Sequence, residues 1–212
     1  AVIIDHHNTT THQREQILNG YAERLNYLGG KFITGTDVGL TASDLEFMKV
    51  KTPFLVGLKV DPTHYTAMGL MHGLAVWLNE VFGSSNTIGR TFAIEGLGKI
   101  GREFLSNIYE QASKIYVSDL KEENLISAKK DFPKIEIINH QALPHQAVDV
   151  YVPCGTNGSL NSKSIGELRC KIIIGGANNQ LESHDIGEKL YRAGILYAPD
   201  YVVNAGGLIS VT

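Results

Sequence analysis

Three glycines in the run EGLGKIGREF, Gly96, Gly98 and Gly101, follow the apolar stretch TFAI directly. Each has a separate use there. Gly96 permits a sharp turn. Gly98 lets backbone approach a bound group with no side chain in the way, and Gly101 lets a helix pack close to the preceding strand. Lys99 and Ile100 complete the turn that opens the helix, where free N–H groups and a partial positive charge suit phosphate. Asp119 closes the next apolar run, KIYVSD, 23 residues beyond Gly96. A carboxylate in that place accepts hydrogen bonds from ribose hydroxyls and repels a 2′-phosphate. Glycines alone fit any strand-to-helix turn. The order strand, glycines, helix, strand, aspartate predicts a dinucleotide site that favours NAD over NADP, a preference that Lys121 weakens slightly.

Such a site needs a parallel sheet behind it. Apolar runs and helical periodicities alternate along the chain, which predicts an α/β fold with parallel pairing. Over residues 1–57 the reading is strand AVIID, a helix through REQILNGYAERLNYL, strand KFITG, a short helix in TASDLEFMKV capped by Thr41 or Ser43, and strand FLVGL. Tyr65 to Phe82 reads as one long helix, apolar on most sides. Strands TFAIE, KIYVSD, IEII, DVYVP, KIIIGG and ILYAP follow, with helices among them and a final apolar segment from Tyr201. The predicted architecture is a Rossmann-type dinucleotide-binding domain over residues 58–212, preceded by a smaller α/β unit over residues 1–57.

The composition narrows the partners. Net charge is -3, with 22 acidic and 19 basic residues, so no strong field points to nucleic acid or an anionic membrane. No apolar run approaches the roughly 18 residues of a membrane helix, and nothing resembles a signal peptide. Cys154 and Cys170 suit a reducing compartment and suggest no disulfide framework. The expected location is the cytoplasm. His6, His7 and His12 share no helix face and no carboxylate or cysteine cluster joins them, so no metal is expected. The chain opens in the apolar run AVII and closes in GGLISVT, from which we expect a piece of a longer protein.

Further stretches, TGTDVGLT, VPCGTNGSLN, IIIGGANNQL and APDYVVNAGGLISV, stand in order around the glycine loop. Together they resemble the glutamate/leucine/phenylalanine/valine dehydrogenase family, and within it most the leucine dehydrogenases. The resemblance implies an NAD-dependent enzyme that interconverts an L-amino acid with its 2-oxo acid and ammonium, working as a homo-oligomer. It makes residues 1–57 part of a substrate (dimerisation) domain. Asp37 matches the family's catalytic aspartate, a carboxylate that shuttles a proton to and from the amino group or bound water. Asn204 matches a residue that hydrogen-bonds the substrate amino group, and Leu208 and Val211 match apolar substrate-pocket positions. Thr66 matches a threonine near the nicotinamide carboxamide; Asn178 and Asn179 match the segment touching the nicotinamide and its ribose. Cys154 is expected to be a small buried residue beneath it.

Other readings of the same residues stay open. Asp37 can be a turn-capping aspartate before Gly39, and Asn204 a helix cap before Ala205. The family's catalytic lysine belongs to a GGGK segment ahead of AVII, outside these 212 residues, so the chain by itself is expected to bind NAD weakly and turn nothing over. The loop after FLVGL is short for the family, and Val56 stands where a threonine is expected. An apolar pocket argues for leucine, valine or another branched or aromatic substrate over glutamate. A non-catalytic NAD-binding regulatory module is the alternative. A 2-hydroxy-acid dehydrogenase would need a histidine with an acid partner, a setting not evident in the sequence around His140, His145 or His184.

Overall fold

A computed structural model describes residues 3, 9–35, 39–58 and 60–211. It divides into two compact units, Ala1–Asp61 with Val211–Thr212, and Pro62–Ser210.

In the first unit, α1 (Thr11–Leu28) opens on a capping box in which Thr10 and Gln13 satisfy each other's backbone N–H. It stops at Gly29, whose φ of 57° is left-handed. A second capping box, Thr41 with Asp44, opens α2 (Ala42–Met48). Leu18 and Ala22, four apart on α1, meet Leu45 and Met48 of α2 in a small core. The strands predicted here are shorter than the sequence suggests. KFITG and FLVGL meet at one parallel bridge, Thr34 to Leu55. Pro53 has no N–H to give, and Leu55 N turns back onto Pro53 O at 2.9 Å. Only Phe54 O and Val56 N are left to bond Thr34. AVIID lies outside the described residues except for Ile3, which is in neither helix nor strand.

The second unit begins with α3 (Pro62–Phe82), three residues before the expected start at Tyr65. Proline suits the first helical position, where its missing N–H would have no partner anyway. Then come β1 (Thr91–Glu95), α4 (Lys99–Ile108), β2 (Lys114–Ser118), α5 (Glu122–Asp131), β3 (Glu136–Ile137), β4 (Val150–Pro153), β5 (Ile172–Ile173), α6 (His184–Arg192) and β6 (Leu196–Tyr197). The final apolar segment forms two short helices, α7 (Asp200–Val203) and α8 (Gly206–Val211).

The six strands form one sheet in the order β3-β2-β1-β4-β5-β6, and each pairing is parallel. Side chains alternate between its faces, as a period of two requires. Phe92 and Ile94 of β1, Val150 and Val152 of β4 and Ile172 of β5 pack with Leu70, Leu74 and Leu78 of α3 and Phe104 and Leu105 of α4. Ala93, Tyr151 and Ile173 point the other way, toward Ile186 and Leu190 of α6. Both faces are covered, so the central strands read as unbroken apolar runs. Chain order reverses at the β1–β4 pair, where Glu95 stands opposite Pro153. Doubly wound sheets bind ligands at that reversal, beyond the carboxyl ends of the strands.

Candidate functional site

The glycine loop lies at this reversal. Gly96 has φ of 91°, and a Cβ there would come within 2.7 Å of the Gly155 backbone. Gly101, in the first turn of α4, faces Gly96 O so closely that a side chain would collide with it. Gly98 caps α4 with no side-chain hydrogen bond. A Cβ on it would meet nothing within 4 Å. So two of the glycines serve close packing and one borders open space. The first N–H groups of α4, from Lys99 onward, point beyond the helix end with no intrahelical acceptor.

Asp119 closes the loop from the far side. Its Oδ2 accepts the Leu97 N–H at 2.6 Å and the Asn124 amide at 3.1 Å. Its Oδ1 accepts the Lys121 N–H at 2.8 Å. Burial opposes its charge, but the Lys121 and Leu97 N–H groups and the Asn124 amide outweigh that and hold the carboxyl below its usual range. A carboxylate offers about four lone-pair sites, so these donors leave room on Oδ1. Gly96, Gly98, Asp119, Lys121 and Thr156 line an open cleft of about 290 Å³. A helix end without a side-chain cap, an unobstructed Gly98 and an ionised Asp119 with spare acceptor capacity fit a dinucleotide.

A second group assembles around the start of α3. Asn204 ends α7, and its Nδ2 donates to Asn178 Oδ1 at 2.7 Å. Thr66 is 9% exposed, and its hydroxyl donates to Pro62 O at 2.9 Å. A Cβ on Gly206 would strike Tyr65 O, and one on Gly207 would strike Thr66 Oγ1, so the GG of NAGG serves close packing against α3. Asn179 has φ of 50°, the one positive value at a non-glycine among the described residues. Its carbonyl accepts the Gly158 N–H at 2.9 Å. Leu208 is 67% exposed, and Val211 is half-buried. Asp37, His6 and His7 lie outside the described residues.

Other residues of this region went unnoticed in the sequence. Glu95, the last residue of β1, is 4% exposed. Its Oε2 accepts the Tyr151 hydroxyl at 2.8 Å, and His140 Nε2 lies 4.0 Å from its Oε1. Burial pushes the Glu95 carboxyl above its usual range, against the lowering pull of Tyr151 and His140. His140 thus does have an acid neighbour. The signal available was a charged residue closing an apolar strand immediately before the glycines. Gln180 is fully buried and donates to Gly175 O at 2.8 Å and Ala177 O at 2.9 Å. Cys154 is half-buried, not fully buried as expected, and desolvation pushes its thiol up to about 12, which favours the protonated thiol at neutral pH. Among the described residues no group of three or more His, Cys, Asp or Glu is placed to hold a metal. No helix among them is long and apolar enough to cross a membrane.

This chain is similar to known proteins along its whole length. A family model described as Glutamate/Leucine/Phenylalanine/Valine dehydrogenase matches residues 116–212. A phenylalanine dehydrogenase of Bacillus thermotolerans is 34% identical over 100% of this chain and 57% of its own length. A leucine dehydrogenase of Bacillus subtilis is 30% identical over 94% of this chain and 56% of its own. The crystal structure of L-tryptophan dehydrogenase from Nostoc punctiforme superposes with a TM-score of 0.77 at 34% identity, covering 93% of this chain and 57% of that one. The chain therefore spans little more than half the length of the relatives it matches.

Proposed function

This chain belongs to the glutamate/leucine/phenylalanine/valine dehydrogenase family, and on that premise we propose that the intact protein deaminates an apolar L-amino acid to its 2-oxo acid with NAD. The observation that carries the cofactor half of this reading is the grip of Asp119 on Leu97 N. It ties the carboxylate proposed to bind the ribose to the glycine turn, so that the sugar and the phosphates of one ligand would be met by two joined segments. In this reading NAD, when bound, supplies the hydride acceptor. The chain's own residues bind, orient and move protons.

The backbone of Gly98, Lys99 and Ile100 meets the paired phosphates with N–H groups and the helix dipole. Gly96 and Gly101 hold the turn close enough to the strand for this. Asp119 takes the ribose hydroxyl on its remaining lone pair. Thr66, Asn178 and Asn179 border the nicotinamide end. Asn204 orients the amino group, and Leu208 and Val211 give the pocket its apolar character. Asp37 accepts and returns the proton at the reacting nitrogen or water. Relatives named for phenylalanine, leucine and tryptophan all match this chain, which supports an apolar substrate class. Leucine and valine are our first choice within it. We also place the intact protein in the cytoplasm as a homo-oligomer; the exposed Tyr27 and Val50, 82% and 85% accessible, are consistent with a surface that a second copy covers.

The test is a screen of L-amino acids with NAD on the intact protein, followed at the NADH absorbance, beside NADH titrations by fluorescence. Turnover is expected with apolar amino acids and not with glutamate. Asp119→Ala is expected to weaken NADH by about tenfold, the scale of one charge-assisted hydrogen bond, with the amino-acid KM little changed. NADH binding without turnover of any amino acid would favour the regulatory module. No NADH binding at all would end both readings.

A further inference from the structure

The loop that follows β5 is held from inside by one of its own side chains. Gln180 is fully buried, and its amide nitrogen donates to Gly175 O at 2.8 Å and to Ala177 O at 2.9 Å. Both N–H bonds of that amide are thereby engaged, and the chain from Gly175 to Asn179 is drawn into a tight turn. Asn179 completes it at φ of 50°, a left-handed conformation that asparagine tolerates better than most residues. Gln180 Oε1 is buried with no hydrogen-bond partner among the described residues. An apolar side chain would fill the same space without that cost, so packing alone does not account for a glutamine here.

Asp200 ties this loop to α7. Its Oδ2 accepts the Gln180 N–H at 3.1 Å, and its Oδ1 accepts the Tyr201 N–H at 2.8 Å. Its carbonyl accepts the Asn204 N–H at 2.9 Å. On the other side, the Ala177 N–H donates to Pro153 O at 3.0 Å, at the end of β4. The chain is therefore fixed both before and after Asn178, and so is the helix that ends on Asn204. Asn178 itself has one hydrogen bond among the described residues, accepted from Asn204 Nδ2 at 2.7 Å. The contacts begin at a buried glutamine and end on the side chain proposed to hold the substrate amino group.

We propose that Gln180 and Asp200 are positioning residues for the deamination: they lock the loop of Asn178 to the helix of Asn204, so that Asn178 holds the Asn204 amide in one orientation. This rests on the substrate role given to Asn204 above. Gln180 shapes the loop, and Asp200 sets its distance from α7. Loss of either lets the two asparagines drift apart. A misplacement of about 1 Å costs on the order of a hundredfold in rate even when the change lies away from the chemistry.

A double-mutant cycle in the intact protein tests this, with Asn204→Ala, Gln180→Met and the two combined. Each is measured for kcat, for both KM values, for NADH affinity by fluorescence and for Tm, with the kinetics run well below the lowest Tm. Asn204→Ala is expected to lower kcat/KM for the amino acid by about tenfold or more. Gln180→Met keeps the length of the side chain and loses both donors. It is expected to lower the same quantity at least about fivefold, with NADH affinity within about threefold because Gly98 and Asp119 are untouched. Acting through Asn204, it is expected to cost less than about twofold once residue 204 is alanine. Asp200→Asn keeps the volume and gives up one acceptor; it is expected to follow the same pattern, and it replaces Gln180→Met in the cycle if that variant does not accumulate. A merely structural brace lowers the Tm and leaves kcat/KM within about twofold of wild type. That result, or the full loss recurring in the Asn204→Ala background, overturns the positioning role and leaves the deamination reading standing. An unchanged kcat/KM in Asn204→Ala removes the substrate role of Asn204 and the positioning role with it. An intact protein that turns over no amino acid ends the deamination reading itself.

Discussion

Glu95 ends β1 with a carboxylate that water barely reaches, and a tyrosine hydroxyl 56 positions away supplies its closest hydrogen bond. Its carboxyl is raised because burial disfavours the charged form. The consequence for stability has a definite sign. The fold bears no penalty from this group below the unfolded glutamate value of about 4.3. A penalty grows as pH rises from there and levels off above the raised folded value. Glu95→Gln keeps an acceptor for Tyr151 and removes the charge. Its Tm is therefore expected to exceed that of the wild type at pH 8, with the gap closing toward pH 4, as scanning calorimetry across that range would show. An unchanged gap would mean that the carboxylate is not held as described. Residues of this kind are where the sequence was least readable. Gly96, Gly98, Gly101 and Asp119 announced themselves because their meaning lies in local spacing. The Glu95–Tyr151 bond joins separate strands, and nothing in either stretch names the other. Thr66 illustrates the same limit. Its place in the chain was plain, but not that its hydroxyl turns back onto Pro62 O.

At the scale of elements, the β1–α4 junction separates two uses of glycine that the motif alone runs together. A methyl group at Gly101 would collide with Gly96 O and lie 3.2 Å from Cys154 Cβ. Gly101→Ala should cost about 1–3 kcal/mol through overpacking and lower the Tm by several degrees. Gly98 has φ of -66° and ψ of -167°, which alanine adopts readily, and open space around it. Gly98→Ala should leave the Tm nearly unchanged and, if the proposed site is right, weaken NADH by about tenfold or more, because the methyl group would occupy the approach proposed for the phosphates. Thermal melts and fluorescence titrations of the pair separate packing from access; equal effects of both variants on both measurements would remove the distinction. The long helices and the sheet strands were readable because periodicity accumulates over several residues. The shorter pieces were not. KFITG and FLVGL had the composition of strands, but pairing depends on which N–H groups are free, and Pro53 removes one. The last apolar segment carried too few residues to declare a period, and folds as α7 and α8.

For the molecule as a whole, the two units differ in what holds them. Pro62–Ser210 has a core on each face of its sheet. The described part of the other unit gathers around Leu18, Ala22, Leu45 and Met48. Residues 62–210 expressed alone are expected to unfold in one cooperative transition, as single domains of this size usually do, and to bind NADH with an affinity within about threefold of the 212-residue chain, a difference of under ~1 kcal/mol. Calorimetry and fluorescence check this. A broad, non-cooperative melt would mean that the sheet needs the rest of the chain.

The hydrogen bond from Asn204 Nδ2 to Asn178 Oδ1 uses one of the two amide hydrogens. The other hydrogen and the oxygen are the groups Asn204 can offer a substrate. In the proposed reaction the oxygen would accept from an ammonium, and the hydrogen would donate to a ketone. The same side chain then serves both partners of the redox pair without turning over, which suits a reaction that runs in either direction.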